Sequence, residues 1–329
     1  MDTLSKVYVN IIHYSGIEDT LKLIENFLYI SYPKFQLIIV NNNPQSDLET
    51  SIKDWLKSKN IRLIEEYIIN DEIKEFKLES FLYPLVYIQV EKNMGYASGV
   101  NKGIKYALSK NDFSYIWILN NDLIVDKDAL KYLVECAEEY KNKGKKVGIV
   151  GSKLLYYYNP NILQGIGGKY NKYLALTKHI GGFEEDRGQY DRDGIKIDYV
   201  IGTSMFVTKE FLEEVGLMDE RYFLYFEDLD WSERAKRNGY EIIFCWKSKV
   251  YHKEGGSIGS DSKGLKKSRL SDFYGIRNRI LFTKRFYPLF LPLVYLSFVG
   301  VILNRIRRRQ IDRMRLIIRA ILEKDYRDA

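Results

Sequence analysis

Five short, near-continuous apolar runs in the first 150 residues constrain this chain more than any other feature. They are Val7–His13 (VYVNIIH), Phe35–Val40 (FQLIIV), Leu85–Val90 (LVYIQV), Tyr115–Leu119 (YIWIL) and Val147–Val150 (VGIV). A strand apolar on both faces is covered on both faces. The covers are legible between the runs. One helix follows Asp19, a candidate N-cap, with Leu21, Ile24 and Leu28 on one face. A Gly-containing turn and a second helix lie between Asn93 and Ser109, and a third runs from Asp128 to Tyr140, with Leu130, Leu133, Val134 and Ala137 on one face and Gly144 beyond its end. This alternation predicts an α/β domain with a largely parallel sheet. Ligands of such sheets bind beyond the carboxyl ends of the strands.

The second half reads differently. Residues 153–200 are rich in Gly, Tyr and Asn, which predicts loops and short antiparallel strands, a plausible substrate surface. A short helix is expected over 209–215, a strand over Ile242–Trp246 and a helix over Leu265–Lys284. The stretch 61–83 is longer than a simple connection and fits a local helix, a lid or a partner surface. Two cysteines, Cys136 and Cys245, cannot build a disulfide framework, and no Cys/His spacing resembles a zinc site, which points to a reducing compartment. The opening MDTLSKVYVN lacks the pattern of a secretory leader.

Charge divides the chain. The net charge is +7, yet residues 263–319 hold 15 Lys/Arg against 2 Asp/Glu, whereas residues 1–262 hold 34 against 39. The same basic segment contains the one long apolar run, FYPLFLPLVYLSFVGVILN (286–304), followed by RIRRR. Three readings fit this run: a buried core helix, a helix lying in a membrane interface, or a span. Its basic flanks favour an anionic leaflet. No nucleic-acid module accompanies them, so nucleic acid is not an expected partner.

Candidate chemistry sits in four places. Asn120-Asn121-Asp122 follows the run YIWIL and suits either a divalent ion at a diphosphate or a simple turn. Glu227, Asp228 and Asp230 crowd into four residues, which suits a general base with a raised pKa. It equally suits a helix N-terminus that favours acids, with Gly239 as the helix stop. His252 follows the late strand and precedes Gly255-Gly256, and a ligand role competes with a structural one. Asn93, Gly95, Asn101 and Gly103 form a turn entering a helix, either a phosphate cradle or a tight turn. His13 and His179 have no supporting context.

Taken together, six ordered pieces resemble a known family. They are TLKLIENFLYISYPKFQLIIVNNN (20–43), NMGYASGVNKGI (93–104), YIWILNNDLIV (115–125), VIGTSMFVTKEFLEEVGLMDERYFLYFEDLDWSERAKRNGY (200–240), VYH (250–252) and FYGIRNRILF (273–282). The sequence is similar to family 2 glycosyltransferases of the rhamnosyltransferase-like and galactofuranosyltransferase-like branch. The resemblance implies a GT-A fold over residues 1–262, with a nucleotide-sugar half at 1–150 and an acceptor half at 151–262. A basic, helical, membrane-associating segment would follow at 263–329. It implies an inverting, metal-dependent transfer from a nucleotide sugar, with Asp228 as the base. Asp122 and His252 would hold Mn²⁺ or Mg²⁺. Asn41, where the family usually has Asp, would contact the nucleobase, with Asn93, Gly95 and Asn101 on the nucleotide. Glu227, Asp230, Thr203 and Arg277 would support the acceptor side.

The donor expected from this resemblance is a dTDP- or UDP-sugar, and the acceptor a glycan or a polyprenyl-diphosphate-linked glycan. The protein would be cytoplasmic and peripheral, with residues 286–319 on the membrane surface. Asn41 and Asn120, which replace acidic residues of the family pattern, keep an inactive nucleotide- or glycan-binding relative open as an alternative. A nucleotidyltransferase is another.

Overall fold

The computed structural model describes residues 4–253, 268–322 and 326. The first strands and helices in chain order are β1 (Val7–His13), α1 (Ile17–Asn26), β2 (Phe35–Asn41), α2 (Leu48–Ser58), β3 (Leu63–Ile68), β4 (Ile73–Leu78), β5 (Leu85–Gln89), α3 (Tyr96–Lys110), β6 (Tyr115–Asn120), β7 (Leu123–Val125) and α4 (Ala129–Asn142). Then come β8 (Val147–Tyr156), β9 (Asn159–Gly165), β10 (Gly168–Asn171), β11 (Leu176–His179), β12 (Ser204–Thr208), α5 (Lys209–Val215), α6 (Glu227–Arg237), β13 (Glu241–His252), α7 (Arg269–Phe286), α8 (Leu291–Arg307) and α9 (Ile311–Ile321).

One sheet organises the chain, in the order β3-β4-β5-β2-β1-β6-β12-β8-β13-β7, with β9 paired on β8. Its centre is the parallel set expected from the apolar runs: β1 pairs in parallel with β2 and β6, and β2 with β5. β12 is wedged antiparallel between β6 and β8, and β8 and β13 run parallel. β1, β2 and all but the last residue of β6 are buried on both faces, as covering helices require. This is the GT-A-type α/β arrangement.

Several local expectations change. Asp19 is not a cap: Gly16, in the left-handed region at φ 77°, takes that place without a side-chain bond. Asp19 sits in the first turn of α1 and pairs with Lys253 instead. The 61–83 stretch is a β-hairpin, β3–β4, that extends the sheet beside β5. Its turn is an Asx turn, in which Asn70 Oδ1 accepts from the N–H groups of Glu72 (3.0 Å) and Ile73 (2.9 Å). Alternating charges had masked the strands, because β3 is an exposed edge and only Phe76 and Leu78 of β4 are buried. β13 starts one residue earlier than expected and runs on through a register shift to His252, so His252 ends the strand rather than following it. Gly255 and Gly256 lie outside the described residues, as does the start expected for the 265–284 helix.

The C-terminal helices form their own small core. Phe273, Ile276 and Ile280 of α7 pack with Val294 and Phe298 of α8 and Leu316, Ile317 and Ala320 of α9. Phe282 and Phe286 at the far end of α7 enter the main core beside the sheet. The buried-helix reading of 286–304 is overturned. The helix Pro288–Arg307 is long and apolar enough to cross a membrane, and only 11% of its apolar stretch is buried.

Candidate active site

β6 ends at Asn120, and the chain turns through Asn121 and Asp122 into β7. β7 pairs antiparallel with the end of β13, with Leu123 opposite His252. This register brings two distant residues together: His252 Nε2 lies 3.2 Å from Asp122 Oδ1. The ring's other nitrogen, Nδ1, is 2.9 Å from Gln164 Oε1 on β9. A carboxamide oxygen only accepts, so Nδ1 carries a proton, and Nε2 faces the carboxylate. A ring nitrogen and a carboxylate oxygen at that distance share a proton or a cation. Burial alone would raise Asp122, but His252 and Lys253 hold it below the ordinary carboxylate range.

Asn120 strengthens that case. Its N–H donates to the Thr203 carbonyl (3.2 Å), while its Oδ1 is buried and lacks any hydrogen-bond partner. An orphaned buried carbonyl is expensive unless something outside the chain satisfies it. Asn120 Oδ1, Asp122 and His252 are an oxygen and nitrogen donor set suited to Mn²⁺ or Mg²⁺. Among the described residues no three His, Cys, Asp or Glu side chains converge on one point. An ion here would draw its remaining ligands from a diphosphate and water.

Across the site, Glu227 and Asp228 open α6. The two residues before them, Tyr225 (φ 69°) and Phe226 (φ 73°), are both left-handed, a costly conformation for bulky side chains. Helix α7 secures this kink. Asn278, fully buried, donates to the carbonyls of Leu224 (2.8 Å) and Tyr225 (2.9 Å), and Arg277 donates to the carbonyl of Arg221 (3.0 Å). The Arg277-Asn278 pair therefore braces the loop that aims the acidic residues.

Asp228 is half-buried. Its Oδ2 accepts from the Gly202 N–H (3.0 Å) and its Oδ1 from the Leu229 N–H (2.8 Å). Burial pushes its pKa up, and these backbone bonds temper the rise. Glu227 is pushed further, by burial and then by the Asp228 charge, and its Oε2 has no partner. Tyr96, at the start of α3, links the two sides. Its hydroxyl donates to the Gly202 carbonyl (2.9 Å) and feels the charges of Glu227, Asp228 and Asp122. Burial and, after it, these three carboxylates raise the Tyr96 pKa.

The other expected site residues take different places. Asp230 points away and is buried between Arg234 and Arg285, at 2.7 Å from each. Thr203 is buried beside Gly202, with its carbonyl on Asn120. Asn41 is fully buried. Its amide donates to Gln89 (2.9 Å), Tyr87 (3.0 Å) and Ser46 (3.3 Å), and its Oδ1 accepts from Asn43 N–H (3.2 Å). Asn101 is a brace, with its amide on Met218 and Glu220 and its Oδ1 accepting from Met218 N–H. Asn93 caps its own turn through the Gly95 N–H (2.8 Å). Gly95 is required by close approach, since a Cβ there would fall 2.4 Å from the Phe223 carbonyl at φ 99°. Asn41 and Asn101 spend their side-chain groups on partners within the protein.

Sequence reasoning passed over Tyr96 and Gln164. Tyr96 lies inside the NMGYASG stretch, where its neighbours drew attention. Gln164 carries no local signal. It matters only because β9 folds back on β8.

Comparison with known proteins bears on this geometry. Residues 82–274, more than half the chain, match the model of "Glycosyltransferase like family 2". The chain belongs to that family. It is 24% identical over 217 residues to the low-salt glycan biosynthesis hexosyltransferase Agl10 of Haloferax volcanii, covering 64% of each chain. It is 25% identical over 239 residues to poly-beta-1,6-N-acetyl-D-glucosamine synthase of Staphylococcus aureus, covering 70% of this chain and 46% of that one. The chain thus spans less than two thirds of either relative. Its fold is similar to that of the mannosyltransferase PcManGT of Pyrobaculum calidifontis, solved with GDP-Man and Mn²⁺. That match has a TM-score of 0.53 and 12% identity, over 100% of this chain and 89% of that one. The matched segment spans the Asn120–Asp122 turn, Glu227, Asp228 and His252, so this family 2 domain carries its unsatisfied polar groups inside the matched range.

Proposed function

We propose that this family 2 domain transfers a hexosyl unit, with inversion, from a nucleotide sugar to a glycan acceptor in the synthesis of a cell-surface polysaccharide or lipid-linked glycan. The observation that carries this reading is the half-buried Asp228, held by the Gly202 N–H, together with the Asp122–His252 pair, all within electrostatic reach of Tyr96.

Asp228 is positioned as the base. Its two backbone donors fix the carboxylate, and burial raises its proton affinity. It takes the proton of an acceptor hydroxyl as that oxygen bonds to the anomeric carbon. The bond from that carbon to the diphosphate oxygen breaks on the opposite face, and its electron pair leaves with the nucleoside diphosphate. One base and one displacement invert the centre, and no second nucleophile is needed. Asp122, His252 and the Asn120 carbonyl would hold Mn²⁺ or Mg²⁺, whose charge neutralises the departing diphosphate. Gln164 orients the His252 ring for that purpose. Burial and the Asp228 charge raise the proton affinity of Glu227 beside it.

The donor in this reading is a dTDP- or UDP-sugar, with rhamnose the first to try. The acceptor is a glycan, on a polyprenyl diphosphate where it is lipid-linked. α8 holds the protein against the cytoplasmic face of the membrane. Val294 and Phe298 pack it onto α7, while Leu289, Leu293, Leu296, Val299 and Leu303 are exposed along the helix and Arg307, Arg308 and Arg309 follow. A helix with one face on protein and the other apolar and basic-ended lies on a leaflet rather than crossing it.

Two experiments test the reading. Release of nucleoside diphosphate from a panel of dTDP- and UDP-sugars, with polyprenyl-diphosphate-linked acceptors, should appear in wild type and vanish in Asp228→Asn. Turnover that survives the substitution unchanged contradicts the base assignment. Wild type should sediment with anionic vesicles and Leu296→Glu/Val299→Glu should not; equal sedimentation contradicts the membrane assignment.

A further inference from the structure

The turn between β8 and β9 carries chemistry that the reaction centre does not use. Tyr157 and Tyr158 follow the end of β8 with their rings edge-to-face, 5.1 Å apart. Tyr158 is 74% exposed, which is unusual for so large a ring. The turn is fastened to the candidate active site. The Tyr157 N–H donates to the His252 carbonyl (2.9 Å), and the Lys253 ammonium lies 5.2 Å from the Tyr157 ring centre.

Beside Tyr158 opens a pocket of about 370 Å³ lined by Tyr158, Asn159, Pro160, Asn161, Ile162 and Glu185. Next to it, Phe183 is held in the left-handed region at φ 67° and stacks on Tyr156 with ring centres 5.7 Å apart. A bulky aromatic residue kept half-exposed at a strained backbone position marks a surface built for something.

The chemistry of this pocket selects its occupant. Aromatic faces attract the C–H face of a pyranose ring, whose hydrogens carry partial positive charge. The carboxamides of Asn159 and Asn161 both donate and accept, and Glu185 accepts, which matches a ring of hydroxyl groups. A purely apolar partner would cover the two carboxamides without pairing them, whereas Glu185 already holds Arg187 (2.6 Å).

We propose that the Tyr157–Asn161 turn is a remote subsite for a neutral hexopyranose unit of the acceptor glycan. It sits on the acceptor at a distance from the hydroxyl that reacts. The Tyr157 N–H bond to the His252 carbonyl ties this subsite to the edge of the candidate active site. The proposal rests on the glycosyltransferase reading, and its test separates the two.

The experiment uses the full chain as wild type, Tyr158→Ala and Asn161→Ala. Each is applied to an array of short neutral oligosaccharides of hexose and N-acetylhexosamine. Each is also titrated calorimetrically with UDP, dTDP and GDP in the presence of Mn²⁺. Wild type should retain at least one oligosaccharide. Either substitution should weaken that retention by about tenfold, the loss of one ring contact or one hydrogen bond. Nucleotide binding should not change. Retention that is equal in the variants, or absent in wild type, overturns the subsite. So does a parallel loss of nucleotide binding, which would make the turn part of the donor site or of the fold. A wild type that binds no nucleotide with Mn²⁺ but loses oligosaccharide in the variants would instead contradict the transferase reading and leave a glycan-binding site.

Discussion

Two buried polar clusters lie side by side at the carboxyl edge of the same sheet, and they differ in how completely they are satisfied. The first gathers at the ends of β1 and β2. His13 bonds Thr20 Oγ1 (2.7 Å) and Ser46 Oγ (3.0 Å), and Asn121 donates to the Ser15 carbonyl (2.7 Å) and Thr20 Oγ1 (2.9 Å). Asn41 spends its whole amide within the chain. Only the Ser15 hydroxyl is left over there. The second cluster, from Asn120 to His252, contains two orphaned oxygens, Asn120 Oδ1 and Glu227 Oε2, and the facing pair Asp122 and His252. The same residue types serve the fold where nearly every group is paired and are left open to a ligand where they are not. Asn120 and Asn121 make the contrast within two adjacent residues.

The sharpest way to break the comparison is in the open cluster. Asp228→Asn should lower turnover by about 10²–10⁴-fold, the usual worth of a general base, with nucleotide affinity and melting temperature unchanged. Steady-state kinetics and a thermal melt read both. A variant that loses turnover only because it unfolds would move Asp228 to the structural side.

The closed cluster should fail in the opposite way. His13→Ala removes a fully buried ring and its bonds to Thr20 and Ser46 and should cost about 2–4 kcal/mol in denaturant unfolding. In the folded fraction, metal dependence should be retained.

Acid should separate the clusters too. Burial lowers His13 from its ordinary value to about 4. Between roughly pH 6.5 and 4 the unfolded chain binds a proton that the folded one does not, so stability falls as pH drops through that window, by about 3 kcal/mol at most. His13→Gln should flatten the fall in urea midpoints measured against pH. Asp228 works in the same direction on activity. Its raised pKa moves the acid limb of kcat above the ordinary Asp range, because the base must be ionised. Tyr96→Phe, which removes the hydrogen bond to Gly202, should shift that limb by a fraction of a pH unit and lower kcat several-fold without altering donor KM. An unmoved limb would reduce Tyr96 to packing.

How much of this was legible follows from where the information sits. β1, β2, β5 and β6 announce themselves because a strand covered on both faces needs consecutive apolar residues, and α4 because its stripe is intact. The β3–β4 hairpin was not, since an edge strand with one solvated face keeps charges such as Glu65, Glu66 and Lys77 in its pattern. Asp122, Asp228 and His252 stood out by residue type and by resemblance. Satisfaction did not, because it depends on neighbours far along the chain: Gln164 reaches His252 across 88 residues, and Met218 reaches Asn101 across 117. Asn101 and Asn120 read alike in the sequence, and only the fold shows that one is used up and the other is open.

The most direct test of the central claim is a calorimetric titration of the full chain with UDP, dTDP and GDP, each with and without Mn²⁺, in wild type, Asp122→Asn and Asn121→Ala. The account predicts that one nucleotide binds at least about tenfold more tightly with Mn²⁺, that Asp122→Asn removes this gain, and that Asn121→Ala leaves it in place while lowering stability. Nucleotide binding indifferent to both the metal and Asp122, or abolished equally by Asn121→Ala in a folded protein, would contradict the division between an open and a closed cluster.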